Sequence, residues 1–283
     1  MRGSGEMAKA HRSGPLWVFA VAMVSVVFVL PLYWAVVTSL REVGRPLPRQ
    51  LEWLPSPAVW GNYRTVFEVV ETGRFALNSL IMASVAVPAT IVFASLAGFA
   101  MSQLPLHHRR RLVAVSALCL MVPLTAIWIP RFMLFKEAGL MNRLEALMVP
   151  SVMGTSPFFA LLFLWAFLSV PKEVYDAARV DGAGAYRIWA GIGLPQAKAA
   201  IGTVGVLAFV HYWNSFVEPL LLMRTADNFT ASLGLRMLYS LDNTNWPVIM
   251  AGSVLTIIPV LTVFVLAQRA FLRDMRRVEG NGR

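Results

Sequence analysis

The sequence predicts an all-α membrane protein: six transmembrane helices, with a helix–turn–helix loop between spans 4 and 5. Three observations predict it. Six separate stretches each offer about 20 or more mostly apolar residues, the length a helix needs to cross the hydrocarbon core. The 283 residues are 57% hydrophobic and 14% charged, with a mean hydropathy of +0.62, whereas soluble domains carry about 25% charged residues. Lysine and arginine concentrate in alternate connecting segments, as in chains that thread a membrane. Helices and closed barrels satisfy the backbone in lipid, and uninterrupted apolar runs do not fit the alternation of a barrel strand.

The six stretches are 16–40, 75–102, 112–135, 146–168, 199–223 and 247–271. The first follows Arg2, Lys9 and Arg12 and imitates a signal peptide. Its apolar run is longer than the roughly 7–15 residues of a signal core, and no small-x-small site ends it. We read it as a retained span. The six-span domain then covers 16–272, between tails 1–15 and 273–283. Segments 1–15, 103–111, 169–198 and 269–283 hold 15 lysines and arginines; the alternate segments 41–74, 136–145 and 224–246 hold 9. This bias places both termini in the cytoplasm of a multi-pass protein of the cell (inner or plasma) membrane. The loop His107-His108-Arg109-Arg110-Arg111 is its clearest mark. A basic cytoplasmic surface drawn to anionic lipid heads accounts for the net charge of +10 without nucleic acid. Cys119, the one cysteine, lies in an apolar run and reads as a packing residue. In the outer segment 41–74, Pro46, Pro48, Pro55 and Pro57 predict extended chain, followed by a short interfacial helix over 62–70. The outer segment 224–246 has mixed polarity. These two loops are the natural surface for an extracytoplasmic partner.

The stretch 171–195 stands apart. Lys172, Glu173, Asp176, Arg179, Asp181 and Arg187 place six charges in sixteen residues. Pro171 suits the first turn of a helix, where its missing N–H costs nothing. Gly182 and Gly184 end that helix, since glycine accepts the positive φ of a helix stop. A second short helix over 185–190 follows at a new angle, and Leu194-Pro195 closes the unit.

The pattern D-A-A-x3-G-x9-I-x-L-P, formed by Asp176, Ala177, Ala178, Gly182, Ile192, Leu194 and Pro195, resembles the EAA loop of the membrane subunits of ATP-binding cassette (ABC) importers. The flanks are similar to the carbohydrate-uptake branch that includes the smaller maltose permease subunit. They are Asn62-Tyr63, Asn78-Ser79, Asp181-Gly182-Ala183, Trp213-Asn214 and Gln268-Arg269. The family usually has Glu where this chain has Asp176. The resemblance implies the type I ABC importer permease fold and a permease subunit that forms half of a sugar path. It implies as partners a second permease subunit in a heterodimer, two ATP-binding cassette subunits and an extracytoplasmic substrate-binding protein. The loop would seat in a cleft of the ATPase, with Asp176 paired to a basic group there. Ala177 and Ala178 would permit close approach, and Gly182 would make the turn. Glu173, three residues before Asp176, lies on the same helix face and shares the pairing role; Asp181, Ile192, Leu194 and Pro195 complete the motif.

The chain carries no catalytic or metal-binding pattern. None of Lys9, Lys136, Lys172 and Lys198 follows a glycine, so no Walker-type phosphate cradle exists. No His/Cys/carboxylate cluster has metal-ligand spacing. ATP and Mg are therefore expected in the partner ATPase, with no cofactor on this chain. Mid-span carboxylates are scarce, which argues against an ion-driven secondary transporter. An ABC importer for another solute, a glycerophosphodiester or a peptide, stays open. Gly154-Thr155-Ser156-Pro157 interrupts the fourth span, which marks either a path-lining break, at Thr155 and Ser156, or a satisfied kink. The fifth span offers His211, Tyr212, Trp213, Asn214 and Glu218, either as sugar contacts or as an interfacial belt. Asn78 and Ser79 are further candidates at the outer end of the second span.

Overall fold

The computed structural model describes residues 15–44 and 53–281. The basic tail 1–14, Pro46 and Pro48 lie outside the described residues. In chain order the α-helices are α1 (Pro15–Ser39), α2 (Gly61–Val69), α3 (Thr72–Gln103), α4 (Leu106–Met121), α5 (Leu124–Glu137), α6 (Leu144–Val152), α7 (Pro157–Leu168), α8 (Lys172–Val180), α9 (Ala185–Ile188), α10 (Leu194–Gln196), α11 (Lys198–Trp213), α12 (Val217–Leu222), α13 (Ala231–Leu241) and α14 (Trp246–Asn281). Four helical segments are long and apolar enough to cross a membrane, or up to six if each of two bent pairs is one span.

The breaks follow proline chemistry. The third apolar stretch, read as one span over 112–135, is α4 and α5 meeting at 89°. Pro123 disfavours helical geometry at Val122, which is extended (ψ 120°), and Pro123 itself stands at the N-cap of α5. His107–Arg111, expected in a loop, form the opening turns of α4. The fifth stretch, read as one span over 199–223, divides into α11 and α12 across 214–216. Pro219 lies in the first turn of α12 and has no N–H for the carbonyl of Ser215. That carbonyl accepts the hydroxyl of Ser232 instead. The fourth stretch breaks where expected. Gly154 (φ 72°) and Thr155 (φ 62°) adopt left-handed backbone, and the Ser156 Oγ accepts the Phe158 N–H to cap α7.

Helix α3 is the hub, packing on α6, α7 and α11. Its closest approach is to α7: a Cβ at Gly98 would fall 2.7 Å from the Ala160 carbonyl oxygen and 2.7 Å from Phe163 Cβ. Between membrane helices no apolar driving force separates protein from lipid, so this backbone proximity is how packing is gained. Gly154 plays a similar part, with the α3 backbone at Ala94 3.3 Å from its missing Cβ. Helix α1 packs along α14. Helices α4 and α5 contain no buried residue.

The connections just before α3 and after α12 are more ordered than the sequence indicated. Helix α2 forms where an interfacial helix was expected, and Asn62 donates to the carbonyls of Ser39 (2.8 Å) and Arg41 (2.7 Å), closing the end of α1. The segment 224–246 contains the amphipathic helix α13, which buries Leu233 and Leu238.

Candidate functional site

Helix α8 has two faces. Tyr175 and Ala178 are buried, three residues apart; Glu173, Asp176, Ala177 and Asp181 are exposed. The helix stops in a Schellman turn: Gly182, at φ 78°, donates to the Arg179 carbonyl (3.0 Å), and Ala183 donates to that of Ala178 (2.9 Å). No atom lies within 4 Å of where a Gly182 Cβ would stand, so glycine is needed there for its backbone and not for space.

The inward face is an aromatic anchor. Phe99 at the end of α3 makes edge contacts with Phe167 at the end of α7 (centroids 5.5 Å) and with Tyr175 (5.9 Å). The Tyr175 hydroxyl donates to the Phe167 carbonyl at 3.3 Å, and burial pushes that phenol up from its ordinary pKa. Ile188 and Trp189 are buried beside them. Sequence reasoning passed over all five residues. The available signal was the Tyr175/Ala178 spacing opposite the carboxylates, which marks an amphipathic helix.

Three predicted coupling residues turn inward. Ala178, expected to face a partner, is 9% exposed and packs in the core; Ile192 and Leu194 pack against the same cluster. The second helix also runs further than 185–190. A π turn over Trp189–Gly193 joins α9 to α10, and Leu194 donates to the carbonyl of Trp189. The wider turn shifts the hydrogen-bond register just before Pro195, which has no N–H to give. Leu194-Pro195 therefore opens another helical turn instead of closing the unit; Pro195 itself is exposed. Asp176 pairs with Arg179 one turn along, and Arg179 also donates to Gln103.

The candidate path residues separate into two groups. Asn78 donates to the carbonyls of Asp227 (2.8 Å) and Phe229 (3.0 Å), and Ser79 Oγ accepts the Ala231 N–H (2.9 Å). Both are buried and hold the connection between α12 and α13 against α3. Thr155 lies 2.7 Å from the Tyr212 hydroxyl and 2.5 Å from Thr90 Oγ1, so three hydroxyls tie the α6–α7 break to α3 and α11. Trp213 is buried and donates to the Thr256 carbonyl (2.9 Å). By contrast, His211 near the end of α11 and Asn214 at its C-cap are exposed, and Ser156 before α7 is partly so. Glu218 forms an ion pair with Arg131 that joins α12 to α5, with Ser215 Oγ 3.4 Å from its second oxygen.

Residues 90–277 match the family described as binding-protein-dependent transport system inner membrane component. The chain belongs to that family. The chain is similar to the lactose transport system permease protein LacG of Rhizobium radiobacter, 30% identical over 247 residues (87% of this chain, 89% of LacG). The arabinooligosaccharides transport system permease protein AraQ of Halalkalibacterium halodurans is 27% identical over 264 residues (92% and 94%). The sn-glycerol-3-phosphate transport system permease protein UgpE of Yersinia pestis is 27% identical over 278 residues (95% and 98%). The fold matches a chain from the crystal structure of a bacterial ABC transporter involved in the import of the acidic polysaccharide alginate. The TM-score is 0.73 at 20% identity, over 95% of this chain and 100% of that one. As an inner membrane component with several apolar helices, this transport protein is a multi-pass membrane protein.

Proposed function

We propose that this family member is one of two transmembrane permease subunits of an ATP-driven ABC importer for a carbohydrate. The observation that carries the reading is α8. Glu173, Asp176 and Asp181 are exposed on a helix whose opposite face is locked by Tyr175 onto the ends of α3 and α7. Carboxylates displayed on a rigid base suit a basic partner surface, and a push on such a base reaches α3 and α7 directly. In this reading the segment 171–195 seats in an ATPase subunit, and both termini lie in the cytoplasm. The bent pair α4–α5 and helix α11 join the four long apolar segments to make six crossings. ATP and Mg reside in the partner. ATP binding draws two ATPase subunits together, the paired loops follow, and the permease pair changes which side it opens to.

The sugar assignment rests on relatives named for lactose and arabinooligosaccharides. The relative named for sn-glycerol-3-phosphate supports a phosphorylated solute as the second reading. His211 and Asn214 are the path candidates free to meet a solute, and the family's description implies a separate binding protein that delivers it.

The test is recovery of partners with the tagged chain from its own membrane in mild detergent. An ATPase, a second permease chain and a binding protein are expected. In Gly182→Pro, whose ring demands negative φ and removes the N–H bound to Arg179, ATPase recovery should fall more than about tenfold while insertion persists. A wild-type chain recovered alone points to an independent carrier.

A further inference from the structure

At the level where α3 and α7 end, a cleft of about 610 Å³ opens between the start of α4 and α8. Its charged lining residues are Arg109, Lys172 and Arg179, with no carboxylate among them. Arg179 shares its charge with Asp176 and with the amide oxygen of Gln103. Arg109 and Lys172 form no ion pair with a described residue. The serine hydroxyls in the wall are already committed, Ser102 to the Phe99 carbonyl and Ser169 to that of Ala166, each at 2.7 Å. Apolar side chains, including Leu104, Leu106, Leu168 and Val170, make up much of the remainder. An occupant thus meets unspent positive charge beside an apolar wall.

We infer that this cleft binds the phosphate headgroup of an anionic phospholipid. Two unpaired cations call for an anion. The apolar wall calls for a molecule with hydrocarbon attached to that anion, which a hydrated inorganic ion lacks. The position agrees, because headgroups lie at the level where apolar spans end. A lipid phosphate held by Arg109 of α4 and Lys172 of α8 bridges those two elements, beside the bond by which Arg179 ties α8 to Gln103 at the end of α3. Its acyl chains run back along the lipid-exposed flank of α4, which buries no residue. The bound lipid sets the position of α8 relative to the membrane surface. This inference goes beyond the coupling reading and needs only that α3 and α7 cross the bilayer.

The test uses the full chain in nanodiscs of equal phosphatidylcholine and phosphatidylglycerol, released gently into native mass spectrometry. The wild-type chain is expected to retain phosphatidylglycerol in preference to phosphatidylcholine. Arg109→Gln with Lys172→Gln should lower that retention about 25-fold, about fivefold for each charge removed near an anionic surface. Arg110→Gln with Arg111→Gln removes the same charge from residues outside the cleft lining and should leave retention unchanged. Equal losses in the two double variants would reduce the effect to general surface charge and overturn the site. Displacement of the lipid by millimolar inorganic phosphate assigns the cleft to small anions and also overturns it. Displacement on adding the ATPase subunits assigns it to a protein partner, with the same consequence. Recovery of the ATPase by the same variants, read separately, distinguishes a failed lipid site from a failed coupling loop.

Discussion

The two ends of the molecule treat their polar residues in opposite ways. In α8, Glu173, Asp176 and Asp181 stand in the open, and the order around them comes from aromatic packing behind the helix. At the other end, Asn78, Ser79 and Glu218 are used up on partners inside the chain. Asn142, in the left-handed region at φ 57°, also belongs here. Its side-chain oxygen accepts the N–H groups of Arg224 (2.9 Å) and Thr225 (3.1 Å). Residue type does not distinguish these groups; burial does, since Asp176 keeps its Arg179 pair at the open surface while Asn78, Ser79 and Glu218 hold their partners inside. A carboxylate displayed on a rigid base is available to a second protein. A buried amide that closes two carbonyls is part of the scaffold, because freeing it strands those groups.

The comparison predicts a double dissociation. The largest expected effect is on association. Asp176→Arg should lower ATPase recovery about thirtyfold or more, in line with the roughly 2 kcal/mol or greater cost of reversing a charge in a contact, with little change in the chain's own thermal unfolding. An equal loss of intrinsic stability would erase the contrast. Next is the Arg131–Glu218 ion pair. Glu218→Ala leaves Arg131 uncompensated among apolar neighbours and should cost about 3 kcal/mol, while the paired change Arg131→Met with Glu218→Leu should recover most of it. Thermal unfolding in detergent reads both, and a double variant no better than the single would show that the charges do more than satisfy each other.

Asn78→Leu, which strands two carbonyls, should destabilise by about 2 kcal/mol in the same assay while its folded fraction still recovers the ATPase. Loss of recovery per folded chain would move Asn78 into the transport machinery. The smallest effect is expected from Gly182→Ala. A Cβ there meets no atom, so only the left-handed backbone is penalised, by about 1 kcal/mol. ATPase recovery should fall a few-fold, far less than for Gly182→Pro. Equal losses would mean that the partner needs the bare glycine surface and not the turn.

Much of the chain was legible because local chemistry governs it. The Gly182 turn, the helix begun at Pro171 and the break before Pro157 each follow from what proline and glycine do to their own backbone. The bend at Pro123 follows from the same rule, yet it was passed over because the apolar run continues through it and hydropathy is blind to direction. Helix α13 was missed for a related reason: its apolar residues are spaced for one buried face, so the segment averages to mixed polarity. The exposed half of the candidate site could be read from charge. Its buried half could not, since Phe99, Phe167 and Tyr175 come from three separate elements.

By itself the sequence determined that this protein crosses a membrane repeatedly, where its helices can begin and end, and that one charged helix–turn–helix interrupts the apolar pattern. These are consequences of hydrophobic length, charge and backbone stereochemistry, all of which act within a few residues. The tertiary structure alone decided that Ala177 faces out and Ala178 in, that Asn78 and Ser79 brace the scaffold, and that Glu218 answers Arg131 across 87 residues. Those outcomes depend on which faces meet. In a membrane that is settled by close approach at positions such as Gly98 and by the need to satisfy each buried polar group, neither of which is visible along a single strand of text.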